Sequence, residues 1–306
     1  MGKGGWIEIV SSDGTPNGDL RAAASSGAAG SLDGMRAAIA NGADVHHRVE
    51  HETFWGGITV DSPIVAAVAN RCVANVEFLL DAGVSIETTD GQGRPPLLQA
   101  ASSPHLENQY ELAQKLLQRG ADVNALCSSN KSAIELALSS PISGAVRMGT
   151  LIAVNGASIT AGLRSKIEVA RTAYLESYPE DDHDESTNGD GKSTNSIYGE
   201  HLAWVDRVMG CPPFQIAIIH SMHAEASTAL QLGRIDPADC LELTAEIHEA
   251  AAKSKCASTI ALASTVLAGW SPSSHHLYVL RSKTIATRPA LADSDLFNQY
   301  DMRPQP

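Results

Sequence analysis

Aromatic residues are scarce, at 5% of 306 positions, so the core cannot be built on large rings. Alanine runs such as Arg21 to Ala24 and Glu249 to Ala252 point to Ala, Leu, Ile and Val packed at close backbone approach, which favours tightly stacked helices. Cysteine is sparse too. Cys72, Cys127, Cys211, Cys240 and Cys256 are scattered, with no C-x-x-C pair to nucleate a zinc site or a redox dithiol, and they read as buried free thiols in a reducing compartment. Basic charge is in deficit: 22 Lys and Arg face 35 Asp and Glu, giving a net charge of −13 and a pI near 5.2. Nucleic-acid affinity comes largely from Lys and Arg neutralising phosphates, so a DNA or RNA partner is not expected. No run of about 18 apolar residues is present to span a membrane, and Met1 to Gly5 lacks the apolar core of a secretory signal. The expectation is a soluble intracellular protein, cytoplasmic or nuclear, with no membrane partner.

What is present is a globular composition, 43% hydrophobic and 19% charged, sufficient for one extended domain or two compact ones. One phrase recurs: an apolar helical run, a break, a second apolar run, then Gly followed by a small or acidic residue. Its endings are Gly42-Ala43-Asp44-Val45, Gly83-Val84-Ser85-Ile86, Gly120-Ala121-Asp122-Val123-Asn124, Gly156-Ala157-Ser158-Ile159 and Gly233-Arg234-Ile235-Asp236. Gly at these places fits the residue just past a helix, which adopts a left-handed conformation. Upstream stand helix-start signals, Ser62-Pro63-Ile64, Pro95-Pro96-Leu97, Ser132-Ala133-Ile134 and Pro212-Pro213-Phe214, since Pro at the first helical position loses no intrahelical bond. Each phrase is therefore helix, turn, helix. Extra residues around Ser102 to Asn108 and Ser139 to Gly144 lengthen two of the inter-helix turns. The second helices carry apolar stripes: Val76, Phe78, Leu79 and Leu80; Leu112, Ala113, Leu116 and Leu117; Met148, Leu151 and Ile152.

Ser62-Pro63-Ile64-Val65-Ala66-Ala67, Pro95-Pro96-Leu97-Leu98-Gln99-Ala100-Ala101 and Pro213-Phe214-Gln215-Ile216-Ala217 resemble the first half of the ankyrin repeat, and Gly120 to Asn124 resembles its closing phrase. The resemblance covers residues 19 to 159 and resumes at 211 to 236. It implies an all-α solenoid of stacked helix-turn-helix units. The family's motif histidine is replaced by Val65, Leu98, Glu135 and Gln215, and its threonine by Ser62, Pro95, Ser132 and Pro212, so these are diverged repeats expected to be less stable than an idealised array.

The organisation expected is an N-terminal segment at 1–18; repeats at 19–160, the first an N-terminal cap lacking the Ser-Pro start; inserted helices at 161–210 around a disordered acidic loop, about 179–197; a further repeat and helical cap at 211–270; and a cap segment and flexible tail at 271–306. The inserted helices are placed at Leu163 to Tyr178 and Tyr198 to Met209. Trp270, Leu277 and Tyr278 are expected to cover the open end of the solenoid. The loop holds two weak motifs. Gly191-Lys192-Ser193 ends like a phosphate loop, but Ser186 stands where Gly is required; Asp184-x-Ser186-x-Asn188-Gly189 opens like a calcium loop, but its twelfth position is Asn195 rather than Glu.

The connection from Gly42 to Ser62 is eight residues longer than those after Gly83 and Gly120, and this enlarged first finger holds His46, His47, Arg48, Glu50, His51, Phe54 and Trp55. Two readings stand for Phe54 and Trp55: interface anchors, or a cover folded back on the first repeat. His220-x-x-His223-x-Glu225 spans a turn between helices, unlike the shared helical face that a zinc site needs. With no nucleophile elbow and no Gly-rich loop after a strand, neither an enzyme, a cofactor, a bound metal nor a small-molecule substrate is expected. By resemblance, a partner protein would meet the finger stretches His47 to Trp55, Thr88 to Arg94 and Leu126 to Lys131, above all His47, Arg48, Glu50, Phe54, Trp55, Asp90, Gln92, Arg94, Asn130 and Lys131, and the first-helix positions Asn70, Arg71, Ser102 and Ser103; the chain's own acidity implies basic patches on that partner. The function implied is a scaffold or adaptor. The alternatives are a regulatory subunit or inhibitor occluding an enzyme and, more remotely, a metal-dependent enzyme using the histidine clusters.

Overall fold

A computed structural model describes residues 13–28, 30–52, 57–103, 107–142, 144–177, 193–211, 213–220 and 222–235. Phe54, Trp55, most of the acidic loop, the Ala-rich stretch 240–268 and the Trp270 segment lie outside these residues. The described chain is helix-rich and forms two compact units: residues up to Gly149 with Gly162–Trp204, and Thr150–Ala161 with residues from Val205 onward.

Helices come in pairs. In order they are α1 (Pro16–Ser25) and α2 (Ser31–Ala40), α3 (Pro63–Ala69) and α4 (Val73–Asp81), α5 (Pro96–Ala101) and α6 (Glu107–Gln118), α7 (Ala133–Leu138) and α8 (Ala145–Val154), then α9 (Leu163–Ser177) and α10 (Thr194–Val208), and finally α11 (Pro213–Ile219) and α12 (His223–Gln231). Between α2 and α3 a short antiparallel hairpin, β1 (Val49–Glu52) with β2 (Ile58–Asp61), is an addition to the expected all-helical repeat.

The starts follow from local chemistry. Pro63 and Pro96 open their helices, and Ser132 accepts from the Glu135 amide while the Glu135 carboxylate accepts from the Ser132 amide, closing both ends of a capping box. The first repeat does have a Thr-Pro start, contrary to the reading of it as beginning near residue 19 without one. Thr15 accepts from the Gly18 amide at 3.0 Å, and Pro16 begins α1. Asn17-Gly18 separates that start from the apolar Leu20 and hides it in the sequence.

Glycine ends the second helices. Gly42, Gly83, Gly120, Gly156 and Gly233 have φ of +96°, +92°, +92°, +92° and +68°. After each, the next amide returns to the carbonyl five residues back, as in Ala43 to Ala38 at 3.0 Å and Val84 to Leu79 at 3.1 Å. The first helix α3 ends in the same way, with Cys72 N reaching Ala67 O at 2.9 Å, but there Arg71 occupies the left-handed position at φ +61°. An L-residue in that conformation is disfavoured by about 1 kcal/mol.

Within the first unit the core runs through Leu20, Met35, Ile64, Leu79, Leu97, Leu112, Leu116 and Ile134, all buried, with Ala24, Ala38, Ala67 and Ala100 between them. The apolar stripes of the second helices are buried as expected except Phe78 and Leu80, which are half-exposed; Phe78 lies under the Arg36 guanidinium, 5.7 Å from its ring centre. A buried amide ties the first two repeats. Asn75 on α4 donates to the carbonyls of Ala23, Ala24 and Ser26 at 3.3, 3.0 and 2.9 Å and accepts from the Ser31 hydroxyl at 3.0 Å. It satisfies the carbonyls that α1 leaves without helical partners.

Further along this unit, α9 is held by Lys166 on the buried Glu135, and α10 by Tyr198 and His201. The Tyr198 hydroxyl donates to Ser139 O at 2.8 Å, and His201 Nδ1 lies 3.2 Å from Leu138 O, so α10 supplies donors to the last carbonyls of α7. Burial, helped by Tyr174, pushes the Tyr198 hydroxyl up to about 12, and burial pulls the His201 imidazole below its usual value. α10 begins four residues before the expected Tyr198. The polar Ser193-Thr194-Asn195-Ser196 is its first turn, with Ser193 Oγ accepting from the Ser196 amide and Asn195 Oδ1 accepting from Arg171.

Replacing Asn75 with Ala takes the side-chain donor from the buried Ala24 carbonyl and the half-buried Ser26 carbonyl, while Ala23 O keeps the Ser26 amide, and is expected to destabilise the protein by about 2 kcal/mol in urea unfolding. A loss under about 0.5 kcal/mol, the size of an ordinary surface change, would contradict the tie.

Candidate protein-interaction surface

Within the first unit the connections between helix pairs form three fingers, at 41–62, 82–95 and 119–132. In the first, Asn17 of α1 accepts from the Asp44 amide at 2.8 Å and bonds His47 Nδ1 at 3.1 Å, and the Asp44 carboxylate accepts from the His46 amide. The hairpin then pairs Val49 with Asp61, Glu50 with Val60, His51 with Thr59 and Glu52 with Ile58. Its base is anchored by the half-buried ion pair of Arg21 with Asp61 at 2.7 Å.

The second finger closes on Asp90. One carboxylate oxygen accepts from the Gln92 and Arg94 amides at 2.8 and 2.9 Å; the other meets Arg94 Nε at 2.8 Å and its Nη2 at 2.7 Å. Arg94 also reaches Ser102 Oγ of the following helix at 3.3 Å. The third finger repeats the turn with Asn130, φ +57°, where the second has Gly93, φ +67°. Asn tolerates the left-handed region better than most residues.

These fingers are joined to one another. The Ser128 amide donates to Gln92 O at 3.0 Å, and the Asp122 amide to Glu87 Oε1 at 2.8 Å. Gly91 lies so close to the hairpin that a Cβ there would stand 1.7 Å from the Ile58 carbonyl oxygen. Hairpin, second finger and third finger therefore form a continuous ledge. Along it the apolar side chains of Val49, Ile58 and Leu126 are 39%, 48% and 51% exposed.

The residues singled out from the sequence fall into different settings. Arg48 and Glu50 are exposed on the hairpin and paired with each other at 2.6 Å, while His47 is held at its base. Gln92, Asn130 and Lys131 are exposed at finger tips; Asp90 and Arg94 are spent on the turn itself. Asn70 caps α3 through Ala66 O at 3.0 Å. With Arg71 it lines an open groove of about 650 Å³ at the opposite, helix-turn edge, together with Ser31, Arg36, Cys72 and Glu111. Ser102 is bonded to Gln99 O. The sequence reading missed Ile58; Leu126 and Gly91 fall within the finger stretches expected to meet a partner, but neither is marked there for its particular part. Nothing local marks Gly91, since its role depends on a strand more than thirty residues away.

Among the described residues, no three His, Cys, Asp or Glu side chains cluster as a metal ion would need. His220 stands in the turn before α12, and burial, with Arg207 adding to it, pulls its pKa down to about 4. Burial raises the Cys72 and Cys211 thiols, the opposite of nucleophile activation. No described helix is long and apolar enough to cross a membrane.

Short helix pairs closed by left-handed glycines and joined through projecting fingers define a helical-repeat protein. The family model of the ankyrin repeat matches residues 92–128, from the tip of the second finger through α5 and α6 to the third. These residues form an ankyrin repeat. No significant match to a curated protein was found.

Gly91→Ala is expected to push the hairpin from the second finger, lowering stability by about 1–3 kcal/mol and shifting the amide resonances of Ile58 and Gln92. Unchanged stability with unchanged resonances would contradict the contact.

Proposed function

We propose that the protein is a scaffold or adaptor that binds a partner protein through the finger ledge, helped by the face of the first helices. Ankyrin repeats are generally protein-interaction modules. The observation that carries the reading here is the joined ledge with Ile58 and Leu126 exposed within a polar rim, since apolar anchors surrounded by polar groups concentrate binding energy. His47, Arg48, Glu50, Gln92, Asn130 and Lys131 form the rim; Phe54 and Trp55 belong to the same finger, and Asp90 and Arg94 shape its neighbour. Asn70 and Arg71 lie at the other edge and take a secondary part. The net charge of −13 favours a partner with basic patches, because complementary charge speeds encounter and fixes register. The repeats at 19–160 and 211–270 serve as binding framework, flanked by 1–18, 161–210 and 271–306, in a reducing intracellular compartment, cytoplasmic or nuclear.

The test is affinity capture with mass spectrometry, using the native protein and a variant carrying Arg48→Ala, Ile58→Ser and Leu126→Ser, both shown to be folded by circular dichroism. A partner retained by the native protein and depleted about tenfold or more with the variant supports the ledge, about 1.4 kcal/mol or more of binding. Equal capture by both overturns it.

A further inference from the structure

The two edges of the hairpin are not alike. The outer edge of β2 is covered, because the Ile58 carbonyl is pressed against Gly91 of the second finger. Among the described residues β1 has no such neighbour: it pairs with β2 alone, and all four of its side chains are exposed. An uncovered strand edge presents main-chain N–H and C=O groups ready to pair with another chain. Native edges are blunted by shortness, charge, proline or a bulge; Val49-Glu50-His51-Glu52 is short and carries two carboxylates, which discourage an acidic or like-charged strand but favour a basic one, and it has no proline and no bulge in its register with β2 to block main-chain pairing.

The side chains of this edge say what would lie beside it. Alternation along the strand puts Val49 and His51 on one face, across from Asp61 and Thr59, and Glu50 and Glu52 on the other, across from Val60 and Ile58. One face thus presents two carboxylates in line with exposed Ile58 behind them, and the other a valine and an imidazole. Arg48 pairs with Glu50 at the surface, where an ion pair contributes little and exchanges readily for another cation.

We infer that the partner adds an extended basic segment to β1 as a third strand. This rests on the finger ledge being the partner surface. Main-chain hydrogen bonds form along the outer edge of β1, which fixes the register. Directly opposite residues on one face of a sheet are neighbours, so the incoming strand places Lys or Arg across from Glu50 and Glu52. Its alternate residues fall across from Val49 and His51, where Val, Ile or Thr fits. The recognised sequence is therefore an alternation of basic and β-branched residues, free of proline. Its four-residue footprint makes it one part of a larger contact, with Ile58 and Leu126 meeting the rest of the partner.

The experiment uses the full chain and a fluorescein-labelled peptide, Lys-Val-Lys-Val-Lys-Val, followed by anisotropy. Its control is the same peptide N-methylated at its four central residues, which keeps side chains and charge but cannot donate from those amides. The expected result is saturable binding of the parent peptide, at least tenfold weaker for the methylated peptide and at least tenfold weaker for a Glu50→Lys, Glu52→Lys protein shown to be folded by circular dichroism. Equal binding of both peptides means attraction by charge alone and overturns strand addition, as does no binding of the parent peptide. Capture by the Ile58 and Leu126 variant is read separately. Loss of the partner there with no peptide binding overturns strand addition and leaves the ledge; unchanged capture overturns the ledge on which it rests.

Discussion

The left-handed closure at the end of each second helix is the constraint from which the rest of the architecture follows. At Gly42, Gly83 and Gly120 the chain turns with φ between +92° and +96°, so within the first unit each finger leaves its repeat with the same backbone geometry. Repetition of that geometry sets neighbouring fingers side by side. Only then can the Ser128 amide find Gln92 O, the Asp122 amide find Glu87, and Gly91 lie on the Ile58 carbonyl. The ledge therefore depends on how the helices end, and on Glu87 and Gly91 of the second finger, which join it to its neighbours.

Stacked repeats must also satisfy the polar ends of short helices, and this chain does so with a different device at each junction. Asn75 serves three carbonyls at the end of α1 and its cap, Arg21 grips Asp61, Glu135 closes a capping box and receives Lys166, and Tyr198 and His201 supply donors to the end of α7. All of these but Lys166 are buried or half-buried, where a hydrogen bond left unmade costs about 1–3 kcal/mol.

Legibility in the sequence divided along the same line. Glycine closures and proline starts were readable because their cause is local: φ above zero, or a missing N–H, is a property of the residue itself. The turn between α7 and α8 fell at Ser139 to Gly144 for the same reason. The start of α1 was obscured because Gly18 separates Thr15-Pro16 from the first apolar residue, and that of α10 because Ser193 to Ser196 look like loop residues while Ser193 caps the helix. The hairpin was missed because Val-Glu-His-Glu is a charged, four-residue strand whose support is a glycine of the next finger. In the candidate site, exposure of Ile58 and Leu126 depends on what fails to cover them, which no local pattern encodes. Asp90 and Arg94, chosen from the sequence as contact residues, proved to be the clasp of their own turn.

The claim that the fingers act as one ledge is tested most directly by native-state amide hydrogen exchange on a Glu87→Ala variant. The side chain it removes holds the Asp122 amide, while the Ser128 amide is held separately by Gln92 O. A joined ledge predicts that exchange at both Asp122 and Ser128 accelerates tenfold or more while amides in the middle of α6 keep their native rates. Acceleration confined to Asp122 would mean that the fingers move independently, and would contradict the account.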